Sequence, residues 1–589
     1  MIQSPSDLHQ LDLPALEMLA ADIRQRIVEV CLKNGGHLGA SLGPVELALA
    51  LHRSFQSPEE PIIWDVGHQA YAHKLLTGRW KEFETLRRYG GLSGFLKRDE
   101  SPHDVFGAGH SSTSLAAALA FAWTRKDTKK WTVAVIGDGG LTAGIAFEAL
   151  QQLKGKDIGP LLIVINDNQM SISPNVGAIP QLLAEGRADD FFDHFGMDYV
   201  GPIDGHDLGQ LLGLLEGLKK NYLGRPIVLH TLTQKGKGYA PAEERPAEYH
   251  GISPLSSQSK PQGLQAAQPE GSSFSECFTE SVLQWARRDS RVVAITAAMP
   301  EGTGLSRFEK EFPERFFDVG IAEAYALTFA AGLAAEGWKP IVALYSTFLQ
   351  RGFDSLIHDI ALQNLGVIIG VDRAGLVGPD GPTHHGAYDI AYTRLIPGAE
   401  VYAPYSKRGL SAILSELSNR HELKGPIFIR YPRGVAPENN GSWDKNESNL
   451  GFSRNFLGPT GAQGASALII SVGHSSAKLA RLFKESEPKR QVDWIALETI
   501  KPFPPALEEL LRSSKPSWES VLVLEEGVKQ GGVGEQIIAY LKSKDLPGGV
   551  LHLGYPDSPI THGSLGEIER DACVSSSDIK MALAQRGVL

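Results

Sequence analysis

Val135-Ile136-Gly137-Asp138-Gly139-Gly140 is followed, after the length of one helix and one strand, by Asn166-Asp167-Asn168. Glycine lacks the Cβ that would hold a backbone away from a diphosphate, so Gly137, Gly139 and Gly140 at a strand end would let one approach. Asp138 offers a hard carboxylate oxygen to a magnesium ion, and Asn168 a second oxygen from the neighbouring strand end. One cation shared between those side chains and two phosphate oxygens neutralises a diphosphate. Gly-Asp-Gly alone reads as an ordinary turn. One βαβ unit away from Asn-Asp-Asn, it reads as half of a diphosphate–metal site.

A second feature is Glu323, inside Val319-Gly320-Ile321-Ala322-Glu323-Ala324-Tyr325-Ala326-Leu327. An ionised glutamate in so apolar a helix is costly unless it is paired. It calls for a raised pKa or a hydrogen-bonding partner; a helix-surface glutamate facing solvent is the plainer possibility. Asp354 and His358 lie four apart on an expected helix and read as a local pair. His73 reads as a satisfied core histidine.

These residues need elements to hold them. Leu16, Leu19, Ile23, Ile27 and Val30 recur at helical spacing until Asn34-Gly35-Gly36. Near-continuous apolar runs at 131–136, 161–165 and 227–231 predict strands covered on both faces of a parallel sheet. Similar runs recur at 292–296, 341–345, 367–371 and 427–430, and again at 467–472, 494–497, 521–525 and 550–553. Alternation with helical stretches predicts an α/β fold of three domains, each a mostly parallel sheet covered by helices. The domains are expected at 1–252, 274–449 and 450–589. A Ser/Gln/Pro/Gly-rich linker at 253–273 and a polar seam at 437–448 divide them.

At 589 residues the chain is too long for one core. A net charge of −11 argues against nucleic acid or an anionic membrane as partner. Cys31, Cys277 and Cys573 are too scattered for a disulfide framework or a zinc site. No signal-peptide or transit pattern opens the chain, and no apolar run is long enough to span a bilayer, so a cytoplasmic protein is expected.

Gly137-Asp138-Gly139 with Asn166-Asp167-Asn168 resembles the thiamine-diphosphate motif of the transketolase superfamily. Longer strings resemble one of its families, the 1-deoxy-D-xylulose-5-phosphate synthases. They include Gly35-Gly36-His37-Leu38-Gly39, Trp64-Asp65-Val66-Gly67-His68-Gln69-Ala70-Tyr71 and Gly107-Ala108-Gly109-His110-Ser111-Ser112-Thr113-Ser114. Met170-Ser171-Ile172-Ser173, Tyr345-Ser346-Thr347-Phe348-Leu349-Gln350-Arg351, Asp372-Arg373-Ala374-Gly375, Thr383-His384-His385-Gly386 and Arg430-Tyr431-Pro432-Arg433-Gly434 follow in order.

The resemblance implies thiamine diphosphate and Mg2+ as cofactors, and pyruvate and D-glyceraldehyde 3-phosphate as substrates. It also implies a role in isoprenoid and thiamine biosynthesis, and a homodimer. It places Glu323 beside the aminopyrimidine ring, where an acid activates the cofactor. His37, His68 and His384 match family histidines that handle protons, and Asp138, Asn168 and Met170 match its metal site. Gly109, Ser111, Gly140 and Met170 fall in cofactor-binding strings, and the helix opening at Ser111–Ser114 could add its N-terminus. Arg373 and Arg433 match arginines that hold the acceptor phosphate; Tyr345, Arg351 and Asp380 match further substrate positions. Phe348 would stack on the aminopyrimidine or else belong to the core. Lys235 approaches the diphosphate or is a solvated loop lysine.

Two departures stand out. The family has Gln-His after its glutamate, where this chain has Ala324-Tyr325, and residues 184–190 replace a long family segment near the active-site mouth. They keep a non-catalytic thiamine-diphosphate-binding homologue in view. The cofactor motif by itself would also suit a transketolase, or the thiamine component of a 2-oxo-acid dehydrogenase complex.

Overall fold

Every one of the apolar runs forms a strand, with side chains alternating between two covered faces, the run at 550–553 being only partly covered. The computed structural model describes residues 2–171, 174–255, 271–438, 451–458, 466–513, 518–542 and 544–589. These fall into two compact units, the first taking the described residues through 255 with 320–322, the second the remainder.

The first unit contains β1 (Ile62–Trp64), β2 (Thr132–Gly137), β3 (Leu161–Asp167), β4 (Asp198–Asp204) and β5 (Ile227–Leu232). They pair in the order β1-β2-β3-β5-β4, all parallel. Val133 and Val135 of β2 pack with Trp64, Leu162 and Leu229 on one face; Ala134 and Ile136 pack with Ile63, Ile163 and Val228 on the other. The helix Leu13–Asn34 contributes Leu16, Ile23, Ile27 and Val30 to the first of these cores. Asp12 starts it by accepting from the Ala15 N–H at 3.0 Å, and Gly35 ends it at φ 78°. β4 escaped the apolar pattern because it is a half-exposed edge strand, bulged between Val200 and Ile203 around Gly201-Pro202.

The second unit holds two sheets. β6 (Val292–Thr296), β7 (Phe316–Asp318), β8 (Lys339–Tyr345), β9 (Val367–Asp372), β10 (Glu400–Tyr402) and β11 (Pro426–Arg430) build the first. β12 (Phe452–Leu457), β13 (Ala467–Val472), β14 (Val492–Leu497), β16 (Ser520–Val528) and β17 (Val550–Tyr555) build the second, in the order β12-β14-β13-β16-β17. One strand crosses over. β15 (Thr499–Lys501) pairs antiparallel with β10, so the middle sheet runs β15-β10-β11-β9-β8-β6-β7.

The structure thus has three mostly parallel sheets in two units, and the two sheets of the second unit share one core. Ile295, Leu344, Val371 and Phe428 pack in the same cluster as Leu468, Val472, Ile495 and Val523. Residues 256–270 of the linker expected at 253–273, and 439–448 of the seam expected at 437–448, are outside the described residues. Cys31, Cys277 and Cys573 are all free thiols. No described helix is long and apolar enough to cross a membrane.

Candidate active site

In the first unit, β2 and β3 are neighbours with Gly137 opposite Asn166, so their C-terminal ends deliver Asp138 and Asp167 side by side. Asp138 is buried, and Asn175 Nδ2 donates to its Oδ2 at 2.7 Å. Burial, then the adjacent Asp167 carboxyl, pushes the Asp138 pKa well up. Burial opposes ionisation of Asp167 too, but the hydrogen bond with His230 Nε2 at 2.8 Å helps hold its pKa down. His230 Nδ1 in turn meets the Tyr199 hydroxyl at 2.7 Å. After β3 the chain turns sharply: the Gln169 N–H donates to Asp167 Oδ1 at 2.9 Å, and the Met170 N–H to Asn168 Oδ1 at 3.1 Å. Gln169 takes a left-handed φ of 62° there.

Two crowded, buried carboxyl groups at adjacent strand ends fit a divalent cation. Among the described residues no three His, Cys, Asp or Glu side chains gather as a self-sufficient metal site. A cation at Asp138 would therefore draw on Asn168, on Met170 and on phosphate oxygens. The Asn168 amide oxygen has a second lone pair beyond the one that the Met170 N–H uses.

The three glycines differ in what surrounds them. A Cβ at Gly139 would meet Asn175 Oδ1 at 2.9 Å and Ser171 Cβ at 3.1 Å, and one at Gly140 would meet Asp65 Oδ1 at 3.0 Å. Both are glycine because the protein's own side chains press close. Gly137 alone of the three opens onto space within 4 Å, and so suits a diphosphate.

The helix Ser114–Thr124 does begin where Ser111–Ser114 predicted, but its first amide, and that of Ser112 before it, already have a partner. Asp65, immediately after β1, accepts from the Ser112 N–H at 2.6 Å and the Ser114 N–H at 3.1 Å. A carboxylate of this chain sits where a helix terminus would hold a phosphate. Ser111 itself is buried beside Ser112, whose hydroxyl donates to it at 3.2 Å.

Lys235 is buried, not a solvated loop lysine, and its Nζ donates to the Ser171 carbonyl at 2.7 Å. Burial lowers its pKa to about 8 against the pull of Asp138. Nearby, His37 and His68 lie 6.1 Å apart between ring centroids, and His250, which sequence reasoning missed, lies 6.0 Å from His37 and 5.3 Å from His68. His37 packs 5.0 Å from Phe95. Burial, then Lys235, lowers the His68 pKa to about 3, and its Nδ1 is buried with no hydrogen-bond partner among the described residues. Glycines of the Gly35–Gly39 string explain how His250 arrives: a Cβ at Gly35 would strike the Ile252 carbonyl at 2.8 Å, and one at Gly39 the Tyr249 carbonyl at 2.9 Å. His73 keeps its core reading, bonded to His52 at 2.9 Å and Asp104 at 3.1 Å with all three buried.

In the second unit, Glu323 opens the helix Glu323–Ala335 and is only 6 % exposed. Burial raises its pKa, with Arg351 the counterweight, Nη1 lying 4.0 Å from Oε2. A glutamate facing solvent is excluded. Ala324 and Tyr325 face outward, and the Tyr325 ring stacks 5.7 Å from Phe329, one turn along, at 10°.

The other candidates form one chain of contacts. Tyr345, ending β8, stacks 5.5 Å from Phe348 at 14°, and Phe348 meets the His384 ring edge-on at 5.5 Å. The Arg373 guanidinium carbon sits 3.8 Å from the Tyr345 ring centre. Arg373 takes a left-handed φ of 56°, which for a non-glycine residue marks strain held by its surroundings. Burial, then the like charge of Arg433, lowers its pKa to about 9. Arg433 is half-exposed, with Nη1 4.0 Å from Asp380 Oδ2. A buried guanidinium with a second cation acting on it suits a dianion. His384 Nδ1 lies 2.9 Å from the Thr383 hydroxyl. Its neighbour His385 is structural, accepting from the Val377 N–H at 3.2 Å and donating to the Thr561 carbonyl at 3.1 Å. His358 pairs with Asp359 at 2.8 Å rather than with Asp354, because a π-helical turn over Leu356–Ala361 changes the spacing.

Residues 1–193 and 186–233 match the family model described as 1-deoxy-D-xylulose-5-phosphate synthase. Residues 270–438 match the transketolase pyrimidine binding domain, and 460–579 the transketolase C-terminal domain. A 1-deoxy-D-xylulose-5-phosphate synthase of Syntrophomonas wolfei is 42 % identical over 611 residues, covering 95 % of this chain and 92 % of the relative. This chain belongs to the 1-deoxy-D-xylulose-5-phosphate synthase family. A Listeria monocytogenes synthase is 42 % identical over 613 residues, covering 100 % of this chain and 98 % of that protein. A Geobacter metallireducens synthase is 42 % identical over 615 residues, covering 96 % of each. Membership makes the chain an enzyme, a transferase, and implies dependence on thiamine diphosphate. The two stretches of the synthase model meet at 186–193, where the sequence lacks the long family segment. There the structure has two short helices, Ala178–Ala184 and Ala188–His194, joined by three residues and anchored by buried Leu183, Ala188 and Phe192.

Proposed function

We propose that the enzyme condenses pyruvate with D-glyceraldehyde 3-phosphate to give 1-deoxy-D-xylulose 5-phosphate and carbon dioxide, using thiamine diphosphate and Mg2+. The observation that carries the reading is Glu323, an acid whose burial favours its protonated form, at the position of the family's catalytic glutamate. Asp138, Asn168 and Met170 would hold the cation. Gly109, Ser111, Gly137, Gly139, Gly140 and Lys235 would serve the diphosphate, Gly137 by its open approach and Gly139 and Gly140 by letting the surrounding loops close.

Bound thiamine diphosphate supplies a nucleophilic carbon and an electron sink for decarboxylation. Glu323 would donate a hydrogen bond to the ring nitrogen of the aminopyrimidine, and Phe348 would lie against that ring. His68, with a pKa of about 3, stays neutral at neutral pH, so its ring can donate or accept without adding charge beside the substrate. His37 and His384 share the handling of protons, of which the overall reaction consumes one per turnover. Arg373 and Arg433 bind the acceptor phosphate, with Tyr345 carrying the Arg373 guanidinium, and Arg351 and Asp380 complete the substrate contacts. A homodimer in the cytoplasm is the expected setting.

The deciding experiment incubates the protein with Mg2+, thiamine diphosphate, pyruvate and the aldehyde phosphate, and identifies products by NMR. Formation of 1-deoxy-D-xylulose 5-phosphate with equimolar carbon dioxide supports the reading. Two-carbon transfer from a ketose phosphate, with no gas released, would point to a transketolase. Release of carbon dioxide without consumption of the aldehyde would point to a dehydrogenase component. Cofactor binding without turnover would support the non-catalytic reading that Ala324-Tyr325 raises.

A further inference from the structure

The loop after β6 contains Gly302, and one contact explains why that residue is glycine. A Cβ there would overlap the Tyr345 hydroxyl, and would lie 2.7 Å from Met299 Cε and 3.1 Å from Tyr345 Cζ. Its backbone is not the reason, since Gly302 does not take a left-handed φ. The Met299 methyl can swing aside, because methionine is unbranched and adaptable. Tyr345 has no such freedom. The residue is 5 % exposed, its ring is stacked on Phe348, and the Arg373 guanidinium rests over its face. Any side chain at 302 must push on the ring that carries Arg373.

We propose that Gly302 is a positioning residue: its missing side chain fixes where the Tyr345 ring, and so the Arg373 guanidinium, can sit, and thereby sets the preference for a phosphorylated aldehyde. The inference rests on the reading of Tyr345 and Arg373 as acceptor-binding residues. It assigns to the β6 loop a part in specificity that none of the motif strings contains. Pyruvate handling, which does not depend on the Arg373 fork, is left largely alone.

The test compares wild type, Gly302→Ala, Tyr345→Phe and the double variant, each as holoenzyme, with pyruvate and with either D-glyceraldehyde 3-phosphate or unphosphorylated D-glyceraldehyde. Gly302→Ala is expected to raise KM for the phosphorylated aldehyde about tenfold, as a displacement of up to an ångström can cost about that or more. KM for pyruvate should move less than about twofold, so the preference for the phosphorylated acceptor collapses by a similar factor. Removing the hydroxyl removes the overlap and leaves the approach to Cζ at 3.1 Å, so the double variant should match Tyr345→Phe. Wild-type constants in Gly302→Ala, equal losses for both substrates, or a double variant well below Tyr345→Phe would each overturn the proposal. If Gly302→Ala melts too low to assay, the comparison of the double variant with Tyr345→Phe decides, and failure of both to fold alike rejects the rescue. A wild-type enzyme indifferent to the phosphate would sink the acceptor reading and this inference with it; a preference that Gly302→Ala leaves intact sinks only the inference.

Discussion

Arg351 Nη1 lies 4.0 Å from Glu323 Oε2, near enough for its charge to be felt and too far for a hydrogen bond. Burial therefore outweighs it, and the Glu323 carboxyl holds its proton above the ordinary glutamate pKa. Replacing Glu323 with alanine should leave thiamine diphosphate bound while slowing activation of the cofactor by about 10²–10⁴-fold, the usual worth of a positioned acid. Deuterium exchange at the cofactor's C2, followed by NMR, measures this; wild-type exchange would remove Glu323 from its role.

The same carboxyl makes stability depend on pH. Its folded-state pKa is raised, so its contribution is fully present below the unfolded value and is lost as pH rises through the folded one. Glu323→Gln, neutral throughout, should match wild type in acid and become the more stable protein towards neutral and alkaline pH. Urea unfolding of the cofactor-free protein across pH reads the gap. A gap that narrowed with rising pH would contradict the burial argument.

Asp138 is crowded by Asp167 in the buried turn. Asp138→Asn should relieve the crowding and stabilise the cofactor-free protein by about 1–2 kcal/mol, a common size for a stabilising substitution. It should also abolish Mg2+-dependent tightening of thiamine diphosphate, which chelation should mimic in the wild type. Calorimetric titration of the cofactor with and without Mg2+ separates the two effects.

Lys235 is costly to bury with one hydrogen bond at the Ser171 carbonyl. Its pKa is lowered to about 8, so below that value the folded state carries a penalty that the unfolded chain does not. Lys235→Met should raise the melting temperature of the cofactor-free protein at neutral pH and weaken diphosphate binding about tenfold or more. Unchanged cofactor affinity would return Lys235 to a structural role.

Arg433 is half-exposed, and its charge lowers the pKa of the buried Arg373. Arg433→Ala should raise KM for the phosphorylated aldehyde by about 10–100-fold, the loss expected for a charge-assisted contact of about 1.5–3 kcal/mol. KM for pyruvate should change far less. Equal changes would argue against phosphate binding.

The sequence made the strands legible wherever valine, isoleucine and leucine ran together, and it made Asp138 and Asn166–Asn168 neighbours because consecutive parallel strands tend to pair. What it hid depends on long-range contact. His250 is one histidine before a Ser/Pro-rich stretch, and only the approach of Ile252 and Tyr249 to Gly35 and Gly39 brings it to His37 and His68. Asp65 was visible within its motif, but nothing local said that it would spend its carboxylate on the Ser112 and Ser114 amides. Gly139 and Gly140 were legible as special, but not the atoms of Asn175, Ser171 and Asp65 that would crowd a Cβ there. His358 changed partner because a π-turn is not a periodic signal.

β15 is three residues long, yet it closes the outer edge of the middle sheet with backbone from the last segment of the chain. A protein cut within 439–450 would bare the edge of β10, itself three residues long, and remove Leu468 and Val472 from the cluster that also holds Val371 and Phe428. The final portion of the enzyme thus behaves as a buttress rather than a detachable appendage. Denaturation should carry both sheets away in one transition, and swapping that portion between relatives should succeed only when the buttressing strand travels with the edge it seals.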